Sequence, residues 1–246
     1  MISDQVKSAG CPRCTGKVVV PGKNDLATSN PELVDEWDYL ANNPQGITTS
    51  TVTAGSGRTV FWICRSCGYK WQSTISNRVY GGNGCPCCAG KAVWSGHNDL
   101  ATTVPELMKE WDFRKNDRNA LRPYEVTRNS NKRAWWICPK GHSWQASINQ
   151  RTGGHSCPYC CNQRVLTGYN DLASTNPELL REWDYSRNLA SGISPCEVTP
   201  GNSTKVWWKC VECEHIWLSR INSRTRDKAT GCPICGLGLH CKCNSQ

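Results

Sequence analysis

No segment of this chain approaches the roughly 18 consecutive apolar residues that a membrane helix requires, so a spanning segment is not expected. Met1 to Gly10 is short and polar with no apolar centre, and so does not have the form of a secretory leader. Three signatures of catalysis are also missing: a His-rich nuclease motif, a glycine loop that cradles phosphate, and a strained nucleophile elbow. These absences point to a reducing, intracellular compartment (cytoplasm and nucleoid, or nucleus). Paired cysteines there are metal ligands rather than disulfides. They also give no reason to expect an enzyme.

What the chain does have is a repeat. Within 246 residues there are 18 cysteines and 12 tryptophans, and they recur together. Cys-Pro-x-Cys appears at Cys11–Cys14, Cys85–Cys88, Cys157–Cys160 and Cys232–Cys235. After each of the first three come Asn-Asp-Leu, then Pro-Glu-Leu-x-x-Glu-Trp-Asp, then an aromatic run ending in Trp-x-Cys. A fixed period of roughly 70–75 residues marks tandem modules. The expected divisions are an N-terminal tail 1–10, repeats 11–84, 85–156 and 157–236, and a tail 237–246. A module of this size has a marginal core, and metals commonly make up the deficit.

The metal ligands pair between copies. Cys64 and Cys67 precede Cys85 and Cys88; Cys210 and Cys213 precede Cys232 and Cys235. Both sets fit the C-x2-C-x15–20-C-x2-C spacing of a zinc site. The middle set reads Cys138 and His142 followed by Cys157 and Cys160, a Cys3His set that zinc accepts equally. Three structural Zn2+ sites are therefore expected, on zinc hairpins spanning about 60–90, 134–163 and 206–236. In the third, Cys213 has the better spacing and His215 stands as its neighbour. Cys11 and Cys14 lack an upstream pair. Either they are half of a lost copy, or they meet His240 and Cys243 in a fourth site.

Strand-forming runs flank each pair: Arg58–Ile63, Arg133–Ile137 and Lys205–Lys209 outward, with returns Tyr69–Ile75, Ser143–Ile148 and Ile216–Ile221. One short helix per repeat is expected to start at Pro31, Pro105 and Pro177. In it Leu33 and Trp37, and their copies, form i,i+4 pairs on one face. The expected fold class is small zinc-stabilised α+β, with three tandem modules each made of a β-hairpin with knuckles plus a short helix.

The string Cys-Pro-x-Cys, Asn-Asp-Leu-Ala, Pro-Glu-Leu-x-x-Glu-Trp-Asp, Trp-x-Cys, Ile-x-x-Arg, Cys-Pro-x-Cys resembles the zinc-ribbon or treble-clef zinc-finger repeat family from Cys11 to Gly236. Only the middle copy keeps the family's Gly-His, as Gly141-His142. The resemblance implies a nucleic-acid-binding role, in relatives sometimes beside a nuclease domain; no such domain is expected here.

Charge supports nucleic acid only in part. The formal net charge is +9, but zinc–thiolate sites carry negative charge of their own, and three of them leave about +4. The local candidates are Arg78, Arg151 and Arg224 of Ile-x-x-Arg. With them go Arg58, Lys132, Arg133, Lys140, Lys205, Arg220 and Arg226 for phosphates, and Trp135 and Trp207 for stacking on bases. The structural alternatives are ion pairs from the arginines to repeated acids such as Asp38, Asp112 or Asp184, and core packing for the tryptophans. The functional expectation is a non-catalytic, zinc-dependent nucleic-acid-binding protein, with DNA favoured over RNA. The alternative is a protein-interaction scaffold, such as a regulator or inhibitor from a phage or mobile element; ranked below both is a nuclease-associated module, in which the repeated acids Asp25, Glu36 and Asp38 would hold magnesium. Neither a membrane nor a small-molecule substrate is expected as a partner.

Overall fold

The repeated Glu-Trp-Asp divides its three side chains among three jobs, and the fold of each repeat follows from them. The structure, a computed structural model, describes residues 18–227 and 229–238; Cys11, Cys14, His240 and Cys243 lie outside the described residues. The first repeat contains α1 (Leu26–Ser29), α2 (Tyr39–Asn42), β1 (Thr59–Ile63), β2 (Lys70–Thr74) and α3 (Ile75–Val79). The second contains α4 (Leu100–Thr103), α5 (Phe113–Arg118), β3 (Arg133–Ile137), β4 (Ser143–Ser147) and α6 (Ile148–Thr152). The third contains α7 (Leu172–Thr175), α8 (Tyr185–Ala190), β5 (Lys205–Lys209), β6 (Ile216–Arg220) and α9 (Ile221–Thr225), and α10 (Pro233–Gly236) closes the series. Each strand pair forms its own two-stranded sheet. No helix among the described residues is long and apolar enough to cross a membrane.

The chain divides into two compact units. One holds the first repeat together with residues up to Lys109, 113–132 and 147–152; the other holds 110–112, 133–146 and the residues from Gly153 onward. The division runs through the middle repeat.

In the first unit, β1 and β2 are antiparallel with Trp62 opposite Trp71. The buried face collects Leu26, Leu33, Trp37, Val52, Val60, Trp62 and Ile75. Trp37 meets Trp62 edge to face, with ring centroids 5.4 Å apart at 85°, a favoured aromatic geometry. Their backbones also form an isolated β-bridge. The second unit repeats this arrangement in the third module: Leu172, Trp183, Val198, Val206, Trp208 and Ile221 form the core. Trp183 meets Trp208 at 5.4 Å and 86°.

The expected single helix from Pro31 is corrected. Pro31–Glu36 is a 3-10 turn, and its Asn30 makes no side-chain cap. Trp37 has left it in extended conformation, because pairing with Trp62 in the sheet outweighs another turn of helix. The real caps are aspartates. Asp25 accepts from Thr28 N at 3.1 Å at the start of α1, Asp99 from Thr102 N at 2.9 Å, and Asp171 from Ser174 N at 3.0 Å. In all three, burial works against ionisation, but the cap hydrogen bonds win and hold the carboxyl below its usual range. Asp38 and Asp184, the last residues of Glu-Trp-Asp, cap α2 and α8 in the same way.

The return strands, expected to run to Ile75, Ile148 and Ile221, each end one residue earlier, and the Ile-x-x-Arg segments follow them. These segments are short helices, α3, α6 and α9, with Ile75, Ile148 and Ile221 fully buried. Arg78, Arg151 and Arg224 are turned inward, at 8%, 6% and 7% exposure. Arg78 is ion-paired with Glu36 and lies 5.2 Å over Trp62 and 5.5 Å over Trp71. Arg224 is paired with Glu182 and lies 4.7 Å over Trp208 and 5.2 Å over Trp217. The acid is the glutamate of Glu-Trp-Asp, not the aspartate named in the structural alternative. A guanidinium this buried needs both its carboxylate and its aromatic faces.

Arg224→Ala strands Glu182 and opens space between two tryptophans. It is expected to cost about 3–5 kcal/mol, read as a drop in the urea midpoint of the zinc-loaded protein. An unchanged midpoint would show that the Arg224–Glu182 pair does not support the fold.

Candidate metal centres

Three clusters of four donors stand at the ends of the three hairpins: Cys64, Cys67, Cys85 and Cys88; Cys138, His142, Cys157 and Cys160; and Cys210, Cys213, Cys232 and Cys235. Within each, all donor atoms lie within 4.8 Å of one another. In every case the first ligand directly follows the outgoing strand. The backbone then turns tightly: Cys64 N donates to Tyr69 O at 2.9 Å, Cys138 N to His142 O at 3.0 Å, and Cys210 N to His215 O at 2.9 Å. The turn requires a left-handed residue. Gly68 and Gly141 supply it at φ +78° and +82°, whereas Glu214 adopts φ +55° in the third copy.

The distances fit zinc. A tetrahedron with Zn–S bonds near 2.3 Å has sulfur–sulfur edges of about 3.8 Å, and replacing one sulfur by nitrogen shortens its edges to about 3.5 Å. Cys64–Cys88 and Cys67–Cys85 are each 3.7 Å. Cys210–Cys235 and Cys213–Cys232 are each 3.6 Å. In the middle cluster Cys138–Cys160 is 3.8 Å, and His142 Nδ1 stands 3.5, 3.7 and 3.4 Å from Cys138, Cys157 and Cys160. A disulfide would hold two of these sulfurs near 2.0 Å; all twelve ligand positions instead match three ions.

Electrostatics prepares the first ligand of each set. Burial opposes ionisation of Cys64, but N–H groups of Cys67 and Ser66 point at its sulfur and bring the thiol down to about 7. Cys138 and Cys210 are lowered against burial by the equivalent N–H groups of His142 and Lys140, and of Cys213 and Glu212. Burial pushes Cys157 up to about 11, so without a metal the clusters hold thiols that only a cation can ionise together. Four protein donors close each coordination sphere, which is the form of a structural site.

His215 stands outside the third group of converging donors. Its ring stacks on Trp217 at 6.2 Å and 5°, and Cys213 completes the third set. Of the remaining cysteines, Cys161 donates to Cys157 O, Cys196 is half-buried, and Cys87 is buried beside the first cluster.

The expected nucleic-acid contacts separate into two groups. Arg78, Arg151 and Arg224 are interior. Arg58, Lys132, Arg133, Lys140, Lys205, Arg220 and Arg226 are exposed, although Lys140 Nζ donates to Tyr169 OH at 2.9 Å and Arg133 to Gln145 O at 3.1 Å. Trp135 and Trp207 are half-buried on the outer face of their strands, while Trp136 and Trp208 are fully buried. Sequence reasoning missed the residue after Glu-Trp-Asp. Tyr39, Phe113 and Tyr185 are 43%, 50% and 55% exposed. The signal was present as an aromatic at the same repeat position three times, outside every core pattern.

A family model described as a probable treble clef zinc finger domain matches the chain three times, over residues 33–91, 107–163 and 179–238. No curated protein matches it. Each matched unit opens at the leucine of Pro-Glu-Leu-x-x-Glu-Trp-Asp and closes after the following Cys-Pro-x-Cys. The metal unit thus straddles the boundaries drawn at Cys85 and Cys157.

Acidification must release zinc, since each thiolate takes up a proton as the ion leaves. Zinc release and loss of near-ultraviolet circular dichroism should coincide, both on lowering pH and on adding chelator; full tertiary signal in metal-free protein would contradict structural sites. Glu214→Gly places in the third knuckle the residue of the other two. By relieving left-handed strain it should raise stability by about 1 kcal/mol, measured as a higher thermal midpoint. No change or a lower midpoint would show that Glu214 is not strained.

Proposed function

The chain belongs to the probable treble-clef zinc-finger family, and from that premise we propose that it is a non-catalytic nucleic-acid-binding protein, with DNA the favoured ligand. One observation supports this reading above the others. All three repeats leave an aromatic half in solvent at the same position, as Tyr39, Phe113 and Tyr185, although Trp side chains fill the cores. In the first and third repeats the preceding aspartate donates its N–H to the hairpin aromatic: Asp38 N to Phe61 O, and Asp184 N to Trp207 O, each at 3.2 Å. Asn42 and Asn188 bracket the same strand residues, each pairing with both N–H and C=O of Phe61 and of Trp207. Two outward aromatics per module are thereby held at adjoining backbone positions. In the third, Arg187 lies 5.4 Å over the Trp207 ring.

Aromatic faces beside cations suit unpaired bases, which stack without regard to sequence, while exposed lysines and arginines meet phosphate. Lys205 and Arg220 face each other across β5 and β6, and Arg58, Lys132 and Arg133 stand at the corresponding hairpin ends. The repeated acids are occupied structurally. Glu36 and Glu182 bind arginines; Asp25, Asp38, Asp171 and Asp184 cap helices. That favours binding over metal-dependent hydrolysis.

A second reading has its own observation. In the third repeat Leu180, Trp183, Tyr185, Leu189, Ile193 and Pro195 line an apolar cleft, and Leu189 is 74% exposed. Such a surface suits a protein partner.

Fluorescence anisotropy with single-stranded DNA, duplex DNA and RNA separates the two. Nucleic-acid binding should weaken steeply between 50 and 200 mM salt. Tyr185→Ala should cost about 1–3 kcal/mol of affinity for single strands with folding unchanged. Absence of binding to all three ligands at low salt would overturn the proposal in favour of the scaffold.

A further inference from the structure

Two side chains of metal-ligating type, Cys87 and His97, stand beside the first zinc site and take no part in its tetrahedron. Cys87 is the third residue of Cys85-Pro86-Cys87-Cys88 and is buried. His97 is exposed, in the turn that precedes Asp99. The donor atoms of Cys67, Cys87 and His97 all lie within 4.8 Å of one another.

The fold imposes this meeting. Asn98 Nδ2 donates to Cys87 O at 3.1 Å and to Ala92 O at 2.9 Å, and its Oδ1 accepts from Trp94 N at 2.7 Å. The His97 turn is thereby clamped to the Cys-Pro-x-Cys loop. The His97 ring packs against Trp94 at 4.6 Å, which restricts its orientation.

The second zinc site shows the same niche with other occupants. Counted from the next tryptophan or from Cys-Pro-x-Cys and Asn-Asp-Leu, Cys67, Cys87 and His97 correspond to Lys140, Tyr159 and Tyr169. Lys140 Nζ there reaches Tyr169 OH at 2.9 Å. Tyr159 and Tyr169 pack on His142 at 5.8 and 4.1 Å. Three positions that the fold brings together around a structural zinc therefore hold an amine and two phenols in one copy, and two thiols and an imidazole in another.

We propose that Cys67, Cys87 and His97 bind a second ion of the zinc–cadmium class, joined to the first structural zinc through a bridging Cys67 thiolate. Thiolate and imidazole are the donors such ions prefer. Charge favours occupancy: a zinc on four thiolates carries about −2, and a further divalent ion with the Cys87 thiolate brings the pair to about −1. On binding, the metal–sulfur bond replaces the S–H bond of Cys87 and the proton passes to solvent. Three protein donors leave one coordination position open on the exposed His97 side. The accessory ion therefore exchanges faster than the three enclosed zincs.

The test uses the full-length protein loaded with cadmium-113, desalted, and counted by mass spectrometry of the metal. Two variants are compared with wild type: Cys87→Ser with His97→Gln, and Cys87→Tyr with His97→Tyr, the latter installing the residues of the second site. Each should bind one equivalent fewer, with near-ultraviolet dichroism unchanged. The wild-type cadmium spectrum should show coupling between two ions that share a sulfur, and the variants should lack it. Equal counts in wild type and in either folded variant, or no coupling in the wild type, would overturn the proposal. The tyrosine variant keeps the test decisive should the polar one not fold.

Discussion

Four donor atoms converging on one point are the constraint from which the rest of each module follows. Thiols at 3.6–3.8 Å from one another are poor company without a cation: ionised they repel, and protonated they bury polar hydrogen for little return. A zinc ion turns the same spacing into a stabilising site worth on the order of 10 kcal/mol to a folding unit. That exceeds what a core of about seven buried side chains can secure after conformational entropy is met. It also sets the connectivity, since the knuckle after one strand is completed by the Cys-Pro-x-Cys that opens the next copy.

Around that constraint the Glu-Trp-Asp motif distributes its work. Glutamate holds the buried arginine of the following helix, tryptophan closes the core edge to face against the hairpin, and aspartate caps the helix that displays the exposed aromatic. One motif thus links the interior to the surface proposed to meet nucleic acid. The same economy explains why charge is a weak guide here. Many ionised groups act inside the module or on its metals, so the net charge says little about where exposed cations stand.

The ligand sets and strand pairs were legible because both rest on spacing. Coordination geometry fixes the cysteine interval, and β-branched and aromatic runs mark the strands. The role of Ile-x-x-Arg was not legible. An arginine reads as a solvent-seeking charge unless its carboxylate partner is known, and Glu36 lies 42 residues from Arg78 in sequence. Trp37 was misplaced on a helix because an i,i+4 pairing with Leu33 satisfies the helical pattern, although its partner Trp62 is distant in sequence. Tyr39, Phe113 and Tyr185 escaped notice because repetition of an exposed residue carries no packing signature. Cys87 and His97 belong to no spacing rule at all; only the turn held by Asn98 brings them beside Cys67.

Zinc K-edge X-ray absorption on protein purified without added metal tests the central claim most directly. The account predicts bound zinc whose inner shell is four-coordinate and dominated by sulfur at about 2.3 Å, with a minor nitrogen contribution near 2.0 Å from histidine. A folded protein without zinc, or a shell dominated by oxygen and nitrogen, would contradict it.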